Sequence, residues 1–151
     1  MKLNHLDLSV VDVSQTRDFF VEHFDFTAVE DRGGEMSILE DDDGFVLVLE
    51  TLRGDAPASY HGTFHIGFIL GSEKAVEEKY AAMQNADIEF SYRLTRNRLG
   101  TRFYFTAPGD IVVEVSCPLA LAARRVLDPS LPSRNAVSML GWPGSGQTPP
   151  G

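Results

Sequence analysis

Apolar and polar positions alternate strictly at the start of the chain. Leu6, Leu8 and Val10 fall on one face, and His5, Asp7 and Ser9 on the other. Period two marks a β-strand with one face turned to a core, leaving the polar face free to line a cavity. The period changes after Asp12. Val13, Phe19, Phe20 and Phe24 recur at helical spacing, with Arg17, Asp18 and Glu22 between them. That spacing predicts an amphipathic helix running to about Phe24, N-capped by Asp12 or Ser14. Strands are expected over residues 26–30, 36–39 and 45–49. The turns between them are Arg32-Gly33-Gly34 and Asp41-Asp42-Asp43-Gly44.

The same order then recurs. Phe64-His65-Ile66-Gly67-Phe68 is strand-like and holds a histidine sixty positions after His5. A helix starts near Ser72, with Val76, Tyr80 and Met83 on its buried stripe. Strands are expected over 88–92, 101–106 and 111–115, with Ala107-Pro108-Gly109-Asp110 repeating the earlier acidic turn. Residues 93–100, Arg-Leu-Thr-Arg-Asn-Arg-Leu-Gly, read as a basic loop between the second and third of these strands. The chain is therefore read as α+β, with strand-helix-strand-strand-strand occurring twice. The first module is placed at 1–53, a connector at 54–62 and the second module at 63–117. Residues 118–151 would hold a short helix, over 119–127, and a Pro-, Ser- and Gly-rich tail without a fixed fold, in which Trp142 has an indole able to dock.

Composition narrows the function classes. With 151 residues and 43% hydrophobic content, the chain suits one domain or two small fused halves. A formal net charge of -9 disfavours nucleic acid and anionic membranes as partners. No apolar run is long enough to span a bilayer, and Met1-Lys2-Leu3 leads to His5 without an apolar leader. Cys117 is the single cysteine and has no internal disulfide partner, which fits a reducing cytoplasm.

Three side chains stand out as chemistry. His5 and His65 hold equivalent places near the start of each opening strand, and Glu114 lies on the last strand of the second module. Two imidazoles and a carboxylate on separate strands make a three-point divalent-metal site with positions left open for substrate oxygens. Ordinary alternatives exist for each. A strand histidine is often just hydrogen-bonded, and duplication copies residues. Glu114 is harder to set aside, because a carboxylate among Val112, Val113 and Val115 must be compensated by a metal or by a neighbour such as Arg102. Aligning the two acidic turns puts Val48 opposite Glu114, and valine cannot ligate. Glu50, two residues on and on the same face, is the candidate fourth ligand. Tyr104 should share a face with Arg102 and Glu114, placed to orient substrate or donate to its oxygen. Asp7 on the cavity face, together with Arg102, Arg96 and Arg98, are the substrate-binding candidates, with Arg93 as a further loop cation. His23 on the helix and His61 in the connector are expected to be bystanders.

The doubled unit, with Asn4-His5-Leu6-Asp7-Leu8-Ser9-Val10 and Phe64-His65-Ile66-Gly67-Phe68, resembles the vicinal oxygen chelate superfamily. So does the stretch from Phe103 to Glu114. The superfamily spans glyoxalases, bleomycin resistance proteins and extradiol dioxygenases. The resemblance covers residues 2 to about 117. It implies tandem βαβββ modules with curved mixed sheets around a cavity. It also implies a divalent ion, Fe, Mn, Zn or Ni, at the positions of His5, His65 and Glu114, with catalytic roles for Tyr104 and Glu114. A homodimer is implied in turn, with His5 of one subunit near His65 and Glu114 of the other. Glyoxalase I-type members add a first-module glutamate where Val48 stands. Dioxygenase-type members match the three ligands, yet place an acid/base histidine ahead of the tyrosine that is missing here. Fosfomycin transferases carry a lysine and serines in the loop that here reads 94–101. The expected activity is therefore metal-dependent chemistry on a small oxygen-bearing substrate. It leans to dioxygenase-like reactions, with lyase or isomerase chemistry next. The rival is metal-free sequestration of a drug or metabolite, with Phe45, Tyr92 and Tyr104 stacking on it.

Overall fold

The structure, a computed structural model, describes residues 3–51 and 60–119. Within them the alternation of Leu6, Leu8 and Val10 becomes strand β1 (His5–Val10). Helix α1 (Val13–Phe24) follows, capped by Asp12, whose carboxylate accepts the backbone N–H of Gln15 at 2.8 Å. Strands β2 (Thr27–Asp31), β3 (Met36–Glu40) and β4 (Val46–Thr51) complete the first module. β5 (Ile66–Ile69), α2 (Glu73–Asn85), β6 (Tyr92–Asn97), β7 (Gly100–Ala107) and β8 (Ile111–Pro118) form the second.

Each module is a four-stranded mixed sheet, ordered β1-β4-β3-β2 and β5-β8-β7-β6. The opening strand of each runs parallel to the closing strand, and the other pairings are antiparallel. A parallel neighbour requires a crossover, and the helix supplies it in both modules. Among the described residues no sheet closes into a barrel. Among the described residues no helix is long and apolar enough to cross a membrane.

The helix faces of the two modules share one core. Phe24 of α1 packs against Phe68 of β5 at 4.3 Å and stacks on Phe105 of β7 at 5.9 Å between ring centroids. Lys79 of α2 donates to the backbone carbonyl of His23 and lies 4.6 Å over the Phe24 ring, and burial lowers its pKa. His23 is half-buried, with its ring 4.9 Å from Phe19. With both helix faces consumed in this core, the opposite face of the second sheet carries Arg102, Tyr104 and Glu114, while that of the first sheet carries Met36, Ile38, Val46 and Val48 beside His5 and Asp7.

Three expectations need correction. The second strand of the second module is not at 88–92. It begins at Tyr92 and runs through much of the expected basic loop to Asn97. The reason lies at the end of α2. Asp87 takes a left-handed φ of 55°, and the Ile88 N–H bonds back to Met83 O at 3.1 Å, so the chain is still tied to the helix there. Ile88 and Phe90 pack against the core instead of pairing with β7. Finally, His65 is not inside its strand but directly precedes β5. Residues 54–59 of the expected connector lie outside the described residues. So do the helix expected over 119–127, beyond its first residue, and the tail with Trp142.

Candidate functional site

His65 is placed by the segment that delivers it to β5. The Phe64 N–H bonds to His61 O at 2.7 Å, and the Phe64 ring stacks on Tyr60 at 4.6 Å. The Tyr60 hydroxyl donates to Ser9 O at 2.9 Å, which ties this segment to β1. His61 is exposed, with Nδ1 2.9 Å from the Thr63 hydroxyl. The Nδ1 of His65 lies 3.1 Å from the Thr63 carbonyl oxygen. A carbonyl only accepts, so Nδ1 carries the proton there and the neutral ring keeps its lone pair on Nε2. That Nε2 faces Glu114 Oε2 at 3.4 Å.

Glu114 sits on β8 between Val113 and Val115, both fully buried on the core side. Its side chain takes the other face and meets Tyr104, whose hydroxyl donates to Oε2 at 2.6 Å. The two residues are register partners across β7 and β8. Burial and then the Glu114 carboxylate raise the Tyr104 pKa, so the phenol remains a donor at neutral pH. The partner of the valine-flanked carboxylate within the chain is thus Tyr104. Arg102 pairs in register with Ser116, one pleat step away, and its guanidinium reaches Asn97 Oδ1 at 3.4 Å. It remains beside Tyr104 and partly offsets that tyrosine's shift.

One row crosses the second sheet: Gly67, Glu114, Tyr104 and Tyr92. The Tyr92 and Tyr104 rings meet edge to face at 6.0 Å, and the His65 ring lies 5.9 Å from that of Tyr104. Tyr92, at the end of the strand expected over 88–92, extends this row.

The first sheet differs at the matching row. Gly67, two after His65, is opposite Glu114, and Asp7, two after His5, is opposite Val48. Ile38 in turn is opposite Val48, where Tyr104 is opposite Glu114. The acid and phenol of the second module are therefore valine and isoleucine in the first. Glu50 lies one pleat step further on, opposite Ser9 and Met36. His5 and Asp7 are exposed on that face, with His5 Nδ1 3.0 Å from Asn4 Oδ1.

The loop cations are not gathered at this site. Arg96 binds Glu77 at 2.6 Å and Glu73 at 3.1 Å, both on α2. Strand pairing through Asn97 turns it to the helix, which is why it does not reach the polar face. Arg93 is exposed on the same strand, and Arg98 is exposed in the tight turn after it. Among the described residues of one chain, no three His, Cys, Asp or Glu side chains gather closely enough to hold a metal ion. One chain offers one imidazole nitrogen and one carboxylate oxygen. That donor pair is chemically suited to a divalent cation and falls one ligand short of a three-point site. Beside it runs a cleft of about 670 Å³, largely apolar, lined by His65 and Gly67 on one side and by Leu6, Leu47 and Phe45 on the other.

The model of the Glyoxalase/Bleomycin resistance protein/Dioxygenase superfamily matches residues 2–115. The chain belongs to this superfamily. Among solved structures it is similar to a "possible Glyoxalase" from Bacillus cereus, at 30% identity and a TM-score of 0.66, over 78% of this chain and 99% of that one. It shares its fold with a lactoylglutathione lyase from Agrobacterium tumefaciens, at 19% identity and a TM-score of 0.63, covering 76% and 92% of the two chains. A variant of the fosfomycin resistance protein FosX from Listeria monocytogenes is a further fold neighbour, with Mn(II) and 1S,2S-dihydroxypropylphosphonic acid bound. It is 19% identical with a TM-score of 0.65, over 83% and 97%. No protein of curated function matches the chain. As a superfamily member, the chain has the tandem modules of that fold, and a fold alone does not fix a reaction.

Proposed function

We propose that the chain is a metal-dependent enzyme that takes a small substrate through two neighbouring oxygens. The observation that carries this reading is the pair at 3.4 Å. His65 Nε2 and Glu114 Oε2 face each other, with the opposite ring nitrogen already committed to Thr63 O. Two lone-pair-bearing atoms so placed call for a cation between or beside them, and the backbone anchor on Nδ1 is the arrangement that orients a ligating histidine. A divalent ion held there would supply Lewis acidity toward substrate oxygens. The chain's own residues would do the rest. Tyr104, kept protonated, would hold Glu114 in place and donate to substrate. Arg102 beside it would meet negative charge. Tyr92 would wall the aromatic side.

His5 of a second copy would complete the ligand set, which makes a homodimer with sites shared between subunits part of the proposal. The superfamily context and the Mn(II) complex of FosX support a divalent ion such as Fe, Mn, Zn or Ni. Among reactions, the acid-phenol pair in one module and apolar residues at its counterpart favour dioxygenase-like chemistry over a glyoxalase-like lyase with a fourth carboxylate.

Metal-free protein titrated with Fe(II), Zn(II), Ni(II) and Mn(II) should bind at least one of them. His65→Ala should lose roughly tenfold or more in affinity. Equal affinity in wild type and variant would sink the reading. Mixing His5→Ala with Glu114→Ala chains should restore up to half of the sites if ligands come from two subunits, and none if they come from one. The rival is metal-free binding of a drug or metabolite, and the apolar cleft of about 670 Å³ favours it. There His65 and Glu114 would be a plain ion pair, and organic ligands would stabilise the protein with chelator present.

A further inference from the structure

The cleft of about 670 Å³ is lined from both modules, and its apolar walls belong to the core faces of the two sheets. Leu6 and Leu47 line it from the first sheet. Ile66 and Phe68 line it from the second, in register with the buried Val113 and Val115. Glu114 and Tyr104 project from the other face of that sheet. The volume falls within the size of small-molecule sites. Left unfilled, such walls forfeit the packing that a protein core otherwise makes.

Two features define what would fit. The first is aromatic. Phe26, Phe45, Phe64 and Phe68 all line the cleft. Phe26 and Phe68 meet edge to face at 6.3 Å, and Phe64 is stacked on Tyr60 at 4.6 Å, so these walls are held in place. Phe45 is half-buried and meets no other ring among the described residues. The second feature is charge. Asp41 and Asp43, from the turn before β4, line the same cleft, and among the described residues no lysine or arginine does. His65 also lines it, with its Nε2 turned to Glu114. Asp41 Oδ1 accepts the backbone N–H groups of Asp43 at 2.9 Å and of Phe45 at 2.8 Å, which fixes its carboxylate at the entry to the strand. The Asp43 carboxylate has no protein partner among the described residues. Aromatic faces and carboxylates together attract a cation with an apolar envelope, one through the ring quadrupole and the other through charge. An anion is repelled there, and a neutral apolar ligand strips water from the carboxylates without replacing it.

We propose that this cleft is a binding site for a small organic cation, with its charge beside Asp41 and Asp43 and its apolar body among Phe26, Phe45, Phe64 and Phe68. The binding needs no metal. It rests on the second reading above, metal-free binding in the cleft, and adds the ligand's chemistry: an ammonium-type head on an aromatic or branched apolar body.

Three probes that share a naphthyl body and differ in charge test this: (1-naphthylmethyl)trimethylammonium, 1-naphthalenemethanol and 1-naphthaleneacetate. Each is titrated calorimetrically into the whole chain with chelator present. Wild type should bind the cation roughly tenfold tighter than the alcohol, and the acetate least of all. Asp43→Asn removes a charge without breaking a hydrogen bond. It should weaken the cation roughly threefold or more and leave the alcohol unchanged. Phe45→Leu keeps apolar bulk without the ring and should weaken the cation more than the alcohol. Equal affinity for cation and alcohol overturns the inference while leaving metal-free binding in the cleft standing. Failure of all three probes to bind overturns both, and neither result bears on the metal titration. Loss of cation binding in Glu114→Gln but not in Asp43→Asn moves the cation to the opposite sheet face and overturns the inference. So does a wild-type dimer in sedimentation that falls apart in Leu6→Glu and binds no probe, since a second copy then fills the cleft.

Discussion

At the scale of single residues, Tyr104 and Glu114 are the most informative pair. The Tyr104 hydroxyl is the hydrogen-bond donor to a carboxylate whose strand neighbours are fully buried valines. Removing the donor leaves a charged acceptor only partly solvated. Tyr104→Phe should therefore lower stability by about 1 kcal/mol in urea unfolding. The pH dependence has a fixed sign. The phenol's folded pKa lies above its ordinary 10.0, so its stabilising contribution is whole below pH 10 and is lost as pH climbs through the raised value. Wild type should accordingly lose more stability than Tyr104→Phe in the alkaline range, read from unfolding midpoints at successive pH values. Glu114 was legible in the sequence as an acid out of place among valines. Its partner was not, since Arg102 and Tyr104 share a face and only the register decides between them.

At the scale of elements, helices were read more securely than the edge strand β6. The α1 pattern of Val13, Phe19, Phe20 and Phe24 matched its buried face, because period and burial agree along a helix packed on one side. For β6, local hydrophobicity at Ile88 and Phe90 suggested a strand where the chain is still leaving α2. Tertiary packing of Phe90 against Tyr80 and Phe103, at 4.4 Å and 5.5 Å, overrode the local pattern. The same shift removed Arg96 from the site and handed it to Glu73 and Glu77. The β6–β7 hairpin has one point of no tolerance. Gly100→Ala would force a side chain into Cys117 O and Pro118 from a φ of 120°. It should destabilise the protein by about 3 kcal/mol or prevent folding, measured by denaturant midpoint and soluble yield. Gly67 is the contrast: a Cβ there meets no atom within 4 Å, so alanine should be harmless to stability.

At the scale of the whole molecule, the two modules are bound through aromatic side chains of α1 that reach the second sheet. Phe24 is 8% exposed and touches Phe68 and Phe105. Phe24→Ala should lose about 3–4 kcal/mol. Because the core is shared, calorimetry should show one cooperative transition in wild type rather than one per module. This arrangement packs one face of each helix and one face of each sheet into the core and leaves the other sheet faces free. It also keeps His65 and Glu114 with one sheet and His5 with the other.

The alternation along β1 and β5, the aromatic helix stripe and the twin acidic turns were enough to determine duplicated βαβββ modules, since each depends on residues near one another in the chain. They also singled out His5, His65 and Glu114, because a polar group in an apolar strand is conspicuous without coordinates. Tertiary structure alone decided what those groups meet. Strand register gave Glu114 to Tyr104, set Val48 and Ile38 in the matching row of the first sheet and turned Arg96 to a helix. Pairing across strands joins residues far apart in the chain, and a shift of one residue sends every side chain to the opposite face.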